Sequence, residues 1–173
     1  VADIGCDHGF VSIYLLESGK ASACLAMDVN KGPLERAKDH VTQKRLSTYI
    51  ETRLSDGAKE IKFIEDNHGN RILEVEAALI AGMGGRLMIQ IIKDSYDKFQ
   101  CMKEFVLQPQ SEIAKVRQFL RENGYEIARE NIVFEDGKFY PMMKVIKASC
   151  LTESKEVAKI TTKEPSDKNI ICS

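Results

Sequence analysis

Near the start of the chain stands Asp3-Ile-Gly-Cys-Asp-His-Gly9, which places two carboxylates, an imidazole and two glycines within a few residues. Apolar residues frame it. Val1 to Gly5 reads as a buried strand ending in a turn, and Phe10, Val11, Ile13, Tyr14, Leu15 and Leu16 recur at helical spacing. A strand-to-helix turn of this kind offers backbone N–H groups to a ligand, and Gly5 and Gly9 allow the backbone to approach it closely. A dinucleotide site requires Gly-x-Gly-x-x-Gly so that a diphosphate rests on the helix start. Here Asp7 holds the second glycine position and Phe10 the third. A carboxylate at that point repels a diphosphate and fills its space, but suits a ligand that carries positive charge.

S-adenosylmethionine, with its sulfonium and α-amino groups, fits that description. Two further elements agree with it. Asp28, in Met27-Asp-Val-Asn30, lies about twenty residues beyond the loop, where an acidic side chain accepts ribose hydroxyls. Ser55-Asp56-Gly57 follows the third apolar run and offers a carboxylate for an adenine amino group. The expected cofactor set is Asp3, Gly5, Asp7, Gly9, Asp28, Val29, Asn30, Asp56 and Gly57, with Ala81 and Gly82 at the end of the fourth run. The plainer reading keeps Asp3 and Asp7 as helix caps and Asp28 as a turn residue.

The elements that must position these residues alternate in type. Ala23 to Val29, Thr48 to Leu54, Glu76 to Ala81 and Glu104 to Gln108 read as strands. In the third of the five strands Tyr49 and Glu51 flank Ile50, as expected near a sheet edge. Helices are expected from Lys31 to Lys44, capped by Asn30, after Gly82-Met-Gly-Gly85 through Lys93, and from Ser111 to Asn123, stopped by Gly124. Tyr125 to Phe134 and Lys138 to Ile146 flank Glu135-Asp-Gly137, a hairpin signal. Five β-α units and a hairpin predict a doubly wound, Rossmann-like α/β fold: a seven-stranded sheet, mostly parallel, with an antiparallel C-terminal hairpin. Residues 1–147 are expected to form one catalytic domain, and the polar run 148–173 a flexible tail.

Composition narrows the function classes. The 173 residues carry 25 Lys+Arg against 26 Asp+Glu, a net charge of -1, so no global basic field draws in nucleic acid or membrane. The five cysteines form no Cys-x-x-Cys, which argues against a zinc ribbon, and no metal site is expected. No apolar run reaches the ~18 residues of a membrane span. Reduced thiols without a signal peptide point to the cytoplasm. The chain begins at Val1, inside an apolar run, and reads as a piece of a longer protein.

Taken together, Asp3-Ile-Gly-Cys-Asp-His-Gly9, Asp28-Val-Asn-Lys-Gly-Pro-Leu-Glu-Arg-Ala-Lys38, Ile80-Ala-Gly-Met-Gly-Gly85, Leu107-Gln-Pro-Gln110 and Gly124-Tyr125 resemble the bacterial tRNA adenine-22 N1-methyltransferases over roughly Val1 to Lys147. That resemblance implies methyl transfer from S-adenosylmethionine to N1 of an adenosine in tRNA. The family also carries a helical segment before the first strand and a C-terminal coiled coil, neither of which is read here.

N1 methylation leaves a cationic adenine, so Asp7 is a candidate to stabilise developing charge or accept a proton, with His8 beside it to contact the base or hold the loop. Met83 is the third catalytic candidate, an apolar surface against the base. Gly84, Gly85, Gln108 and Pro109 are the substrate-binding candidates, the glycines by close approach and the Gln108 amide by pairing with an adenine edge. Lys31, Arg36, Arg86, Lys115, Arg117 and Arg121 are candidate phosphate contacts. Phe10 and Tyr140 can stack on a base, though core packing is the plainer role for both. His40 and His68 read as surface residues. The competing functions are a methyltransferase of a small molecule or protein, and a cofactor-binding module without activity. Oligomeric state is not legible from the sequence.

Overall fold

The central apolar runs fold as strands because Ala2–Ile4 and Cys24–Asp28 are buried on both faces, and the amphipathic segments between the runs cover those faces. A computed structural model describes residues 1–148 of the chain; the expected tail falls, from residue 149 on, outside the described residues. In chain order the elements are β1 (Ala2–Ile4), α1 (Phe10–Glu17), β2 (Cys24–Asp28), α2 (Lys31–Gln43), β3 (Ile50–Leu54), β4 (Phe63–Glu65), β5 (Arg71–Leu73), β6 (Ala77–Gly84), α3 (Gly85–Asp94), α4 (Tyr96–Cys101), β7 (Glu104–Ser111), α5 (Ile113–Glu122), β8 (Tyr125–Glu135) and β9 (Lys138–Lys147).

Seven strands form one sheet in the order β3-β2-β1-β6-β7-β9-β8. Its first five are parallel, and β9 runs antiparallel to both β7 and β8. This is the expected doubly wound sheet with an antiparallel hairpin. Alternation along the strands splits the core in two. Leu25 and Met27 of β2 point into a large cluster with Ile80, Met88, Ile92, Phe105, Leu107 and Val145, under α3, α4 and α5. Cys24 and Ala26 point the other way, to Ile13, Ala37 and Val41 under α1 and α2. Phe105 is the centre of an aromatic cluster, edge-on to Phe99 and Tyr125 with ring centroids 5.2 Å away in each case. β3 is an edge strand as expected, with Ile50 buried and Tyr49 and Glu51 exposed.

The sheet order reverses between β1 and β6, the strands that lead into the first loop and the glycine-rich turn. Several elements differ from expectation. β6 continues past Ala81 to Gly84, because Met83 and Gly84 still pair with Pro109 and Ser111 of β7, through register shifts. The small β4–β5 hairpin and the short helix α4 had no periodic signature. The β4–β5 loop is closed by Asp66, whose carboxylate accepts the N–H groups of His68 and Asn70. Asn30 does sit at the start of α2, but its side chain makes no capping bond; its N–H instead donates to Asp28. The Asp136-Gly137 turn has both φ angles positive, as a two-residue hairpin turn requires.

Candidate functional site

The loops after β1, β2 and β3, the end of β6 and the first turns of α3 surround a cleft of about 400 Å³ at the carboxyl ends of the parallel strands. Ile4, Gly5 and Asp7 form one wall, Asp28, Val29 and Asn30 a second, and Ser55, Asp56 and Gly57 a third. Ala81, Gly82 and Met83 close it from β6, and Leu87 and Ile91 from α3. That volume lies within the range of small-molecule and cofactor sites.

Asp28 is the hub. It is buried, and its two carboxylate oxygens each accept a backbone N–H: Oδ2 from Asp7 at 3.2 Å and Oδ1 from Asn30 at 2.8 Å. Its own carbonyl accepts the N–H of Ser55 at 2.9 Å. One residue therefore ties the first three loops together. The N–H groups of Gly5 and Cys6 both donate to the Met27 carbonyl at 2.8 Å, which bends the first loop back over β2. Asp7 holds a left-handed conformation, φ 48°, that L side chains adopt at a cost. Its exposed carboxylate lies 2.8 Å from Nδ1 of His8. Nε2 of that ring accepts Nε–H of Arg36 at 3.1 Å, so the proton of His8 sits on Nδ1, directed at Asp7.

The third loop is shaped by Ser55, whose hydroxyl donates to the Gly57 carbonyl at 2.8 Å and accepts the Glu60 N–H at 3.2 Å. Asp56 is paired with Lys59 at the rim. Gly57 has positive φ, and a Cβ there would sit 3.0 Å from Ile91 Cγ1, so the loop lies tightly on α3. Across the cleft, Met83 lies over Gly5, with its Cε 2.0 Å from where a Cβ on Gly5 would stand. The Gly82 N–H donates to Oε1 of Gln108 at 3.0 Å, and Gln110 donates to the same oxygen at 3.1 Å. Nε2 of Gln108 is buried without a partner among the described residues.

Of the residues singled out from the sequence, the cleft unites Gly5, Asp7, Asp28, Val29, Asn30, Asp56, Gly57, Ala81, Gly82 and Met83. Asp3 is not on its walls. Asp3 is buried beneath α1, where its Oδ2 accepts the Ser12 hydroxyl at 2.7 Å, and burial raises its pKa above the ordinary carboxylate value. Gly9 also lies off the walls. It turns the chain into α1 at positive φ, and a Cβ there would meet that of Ala37 at 3.0 Å. His8 is one residue from the wall and faces α2. Gly84, Gly85, Gln108 and Pro109 stand behind the Gly82–Met83 segment, and Gly85 is buried against Ser111 and Val116. Burial pushes the neighbouring Cys6 thiol up to about 12, with help from the carboxylates of Asp3 and Asp28.

Sequence reasoning missed Leu87 and Ile91, although their spacing on one helix face was a usable signal. Phe10 overturns the core-packing expectation, being 61% exposed, while Tyr140 is half-buried. Among the candidate phosphate contacts, Arg86 and Lys115 both pair with Glu112, and Arg117 pairs with Glu130. Among the described residues no group of three or more His, Cys, Asp or Glu could hold a metal, and no helix is long and apolar enough to cross a membrane.

Comparison with known proteins assigns this architecture. The methyltransferase domain family matches residues 1–143. The tRNA (adenine(22)-N(1))-methyltransferase of Bacillus subtilis is 34% identical over 143 residues, covering 83% of this chain and 56% of that one. The chain spans between 56% and 65% of the length of the curated relatives it matches. The crystal structure of the B. subtilis m1A22 tRNA methyltransferase TrmK superposes with a TM-score of 0.73 at 33% identity, over 84% of this chain and 58% of that one. Streptococcus pneumoniae Sp1610, solved in complex with S-adenosyl-L-methionine, gives a TM-score of 0.75 at 31% identity, over 92% and 75% of the two chains. The chain belongs to the methyltransferase domain family, and the relatives it resembles there are the tRNA adenine-22 N1-methyltransferases.

Proposed function

We propose that the chain is the S-adenosylmethionine-binding core of a cytoplasmic enzyme that methylates N1 of an adenosine in tRNA, the position-22 activity for which its relatives are named. The observation that carries this reading is the pair of carboxylates at the switch point. Asp28 is buried and oriented by two N–H groups, and Asp7 stands where a diphosphate would otherwise lie. The residues present fit the cofactor. Each Asp28 oxygen has used one lone pair on the backbone and keeps another for a ribose hydroxyl. Leu87 and Ile91 supply an apolar wall for a flat purine, and Asp56 at the rim supplies an acceptor for its amino group. Gly5, without a side chain, lets the tip of Met83 close over the first loop at the cleft wall. When bound, S-adenosylmethionine supplies a methyl group activated by the sulfonium.

In-line displacement by a ring nitrogen needs no protein nucleophile, so the work of the chain is alignment, exclusion of water and charge. The Gly82–Gly84 segment presents bare backbone to a base entering from above the cleft. Gln108 holds that segment from behind through the Gly82 N–H. Asp7 places negative charge beside the site where adenine becomes cationic, and the Nδ1 proton of His8 fixes the direction of that carboxylate.

The test is calorimetric titration with S-adenosylmethionine and with NAD, followed by methylation of an unmodified tRNA transcript mapped by reverse-transcription stops. Uptake of the methyl donor and a stop at one adenosine are expected. Binding of NAD with no uptake of the methyl donor overturns the reading.

A further inference from the structure

Next to Asp7 in the chain, the rings of His8, Phe10 and His40 lie nearly parallel to one another. Phe10 stacks on His40 with ring centroids 4.7 Å apart and planes 20° from parallel, and on His8 at 5.8 Å and 8°. Hydrogen bonds hold both imidazoles. His8 is fixed between Asp7 and Arg36, and Nδ1 of His40 donates to the His8 carbonyl at 2.9 Å. The ring on this support is nonetheless 61% exposed. A groove of about 460 Å³ runs from it between α1 and α2, past Tyr14 and Lys44.

An exposed phenyl ring on a rigid support is a flat apolar surface whose ordering cost is already met. Its surroundings are cationic. The segment from Lys31 to Arg45 carries five Lys and Arg against Glu35 and Asp39. Of those cations Lys31, Arg36, Lys38 and Arg45 have no acidic partner among the described residues. The chain as a whole is at -1, so this positive strip is local. Flat rings interleaved with cations are what single-stranded nucleic acid recognises, through base stacking and backbone charge. The platform also begins at His8, which follows the cleft-lining Asp7 and bonds its carboxylate at 2.8 Å, so a strand lying on it adjoins the cleft.

We propose that the His8–Phe10–His40 stack is a base-stacking platform for a nucleotide of the RNA substrate other than the one methylated, with the α2 cations following its phosphates. This deepens the methyltransferase reading and rests on it for the identity of the RNA. The experiment titrates the chain, Phe10→Ala and Phe10→Trp with fluorescent tRNA transcript by anisotropy, and separately with S-adenosylmethionine by calorimetry. Phe10→Ala should weaken RNA binding about tenfold, the scale of one lost base stack. Phe10→Trp should restore it, and both variants should bind the methyl donor as the parent does.

Equal RNA affinity in parent and Phe10→Ala overturns the platform while leaving the cofactor reading untouched. So does failure of the parent to bind RNA while it binds the methyl donor. If Phe10→Ala instead abolishes a self-association seen by sedimentation, with RNA affinity unchanged, the face belongs to a second copy and the proposal falls. If the parent does not bind the methyl donor but its RNA affinity depends on Phe10, the platform stands and the cofactor assignment fails.

Discussion

Asp28→Asn separates two jobs that the structure gives to a single carboxylate. One is structural: Asp28 joins the first loop to the second by accepting the Asp7 N–H at 3.2 Å and the Asn30 N–H at 2.8 Å. The other is the proposed acceptance of ribose hydroxyls. An amide can keep its oxygen on the shorter bond to Asn30, but its NH2 then faces the Asp7 N–H, donor against donor. A hydrogen bond to a charged group contributes about 1.5–3 kcal/mol. The Asp7 N–H borders the open cleft, where water can replace the lost acceptor, so the stability loss should fall near the bottom of the mutational range, about 1 kcal/mol. For the cofactor the loss is larger, because ligand and loop both lose charge-assisted bonds. About 1.5–3 kcal/mol there weakens binding roughly ten- to a hundredfold. The assay is calorimetry with S-adenosylmethionine and with its 2′-deoxyribose analogue, alongside urea unfolding of the free protein. The parent should discriminate strongly between the two ligands, and Asp28→Asn should discriminate little. If the variant loses the same factor for both ligands, or binds the methyl donor within twofold of the parent, Asp28 is only a loop tie and the ribose assignment is wrong.

Three further outcomes follow from the same geometry. Gly85→Ala would place its Cβ 2.6 Å from the Ser111 carbonyl oxygen, backbone that cannot swing away, and 2.7 Å from Cγ2 of the buried Val116, and should cost about 1–3 kcal/mol; Gly84→Ala meets only the rotatable Ser111 hydroxyl at 3.2 Å, and equal urea midpoints for the two would refute the packing argument. Asp3 has its folded pKa raised by burial above 3.8, so the folded state holds that proton more tightly than the unfolded chain, and its contribution to stability falls as pH rises through the folded value. Asp3→Asn should therefore be more stable than the parent at neutral pH, with the advantage shrinking as pH falls through the raised folded value toward 3.8 and constant below it, and a pH-independent difference in unfolding free energy would contradict this. With its thiol pushed up to about 12, Cys6 should resist iodoacetamide at pH 8 while the exposed Cys101 reacts, as read by peptide mass spectrometry; equal labelling of both would show that the first loop opens.

The main sheet was legible because its signal is local. The central strands are apolar runs buried on both faces, as in Cys24–Asp28, and the turns after them are punctuated by glycine or by a capping residue type. The β4–β5 hairpin escaped notice for the opposite reason. Its strands have three residues each, too few for a period, and they hold through contacts distant in sequence. Arg53, on the edge strand, binds Glu74 just after β5, and Arg71 lies over the Phe63 ring at 4.0 Å. The ends of β6 and β7 were read too short because strand pairing carried the glycine-rich turn onward against Pro109 and Ser111.

Within the site, the sequence pointed to residue types at strand ends but could not say which way each one faces. Asp3 and Asp28 look alike in the sequence: an acidic residue at or near the end of an apolar strand. Strand alternation sends Asp3 under α1 to Ser12, whereas Asp28, the last residue of β2, turns into the loops and binds two N–H groups. Gly82 and Gly85 differ in the same way, one with positive φ at the cleft and the other packed behind it for lack of space. The misjudgement of Phe10 is the most informative. Helical spacing places it with Ile13 among apolar neighbours, and apolar spacing ordinarily means core. Its ring lies instead on two imidazoles contributed by the first loop and by α2, an arrangement no local pattern encodes. An apolar side chain left 61% exposed is unremarkable by itself, but one stacked on two hydrogen-bonded imidazoles is held in place by more than its own helix.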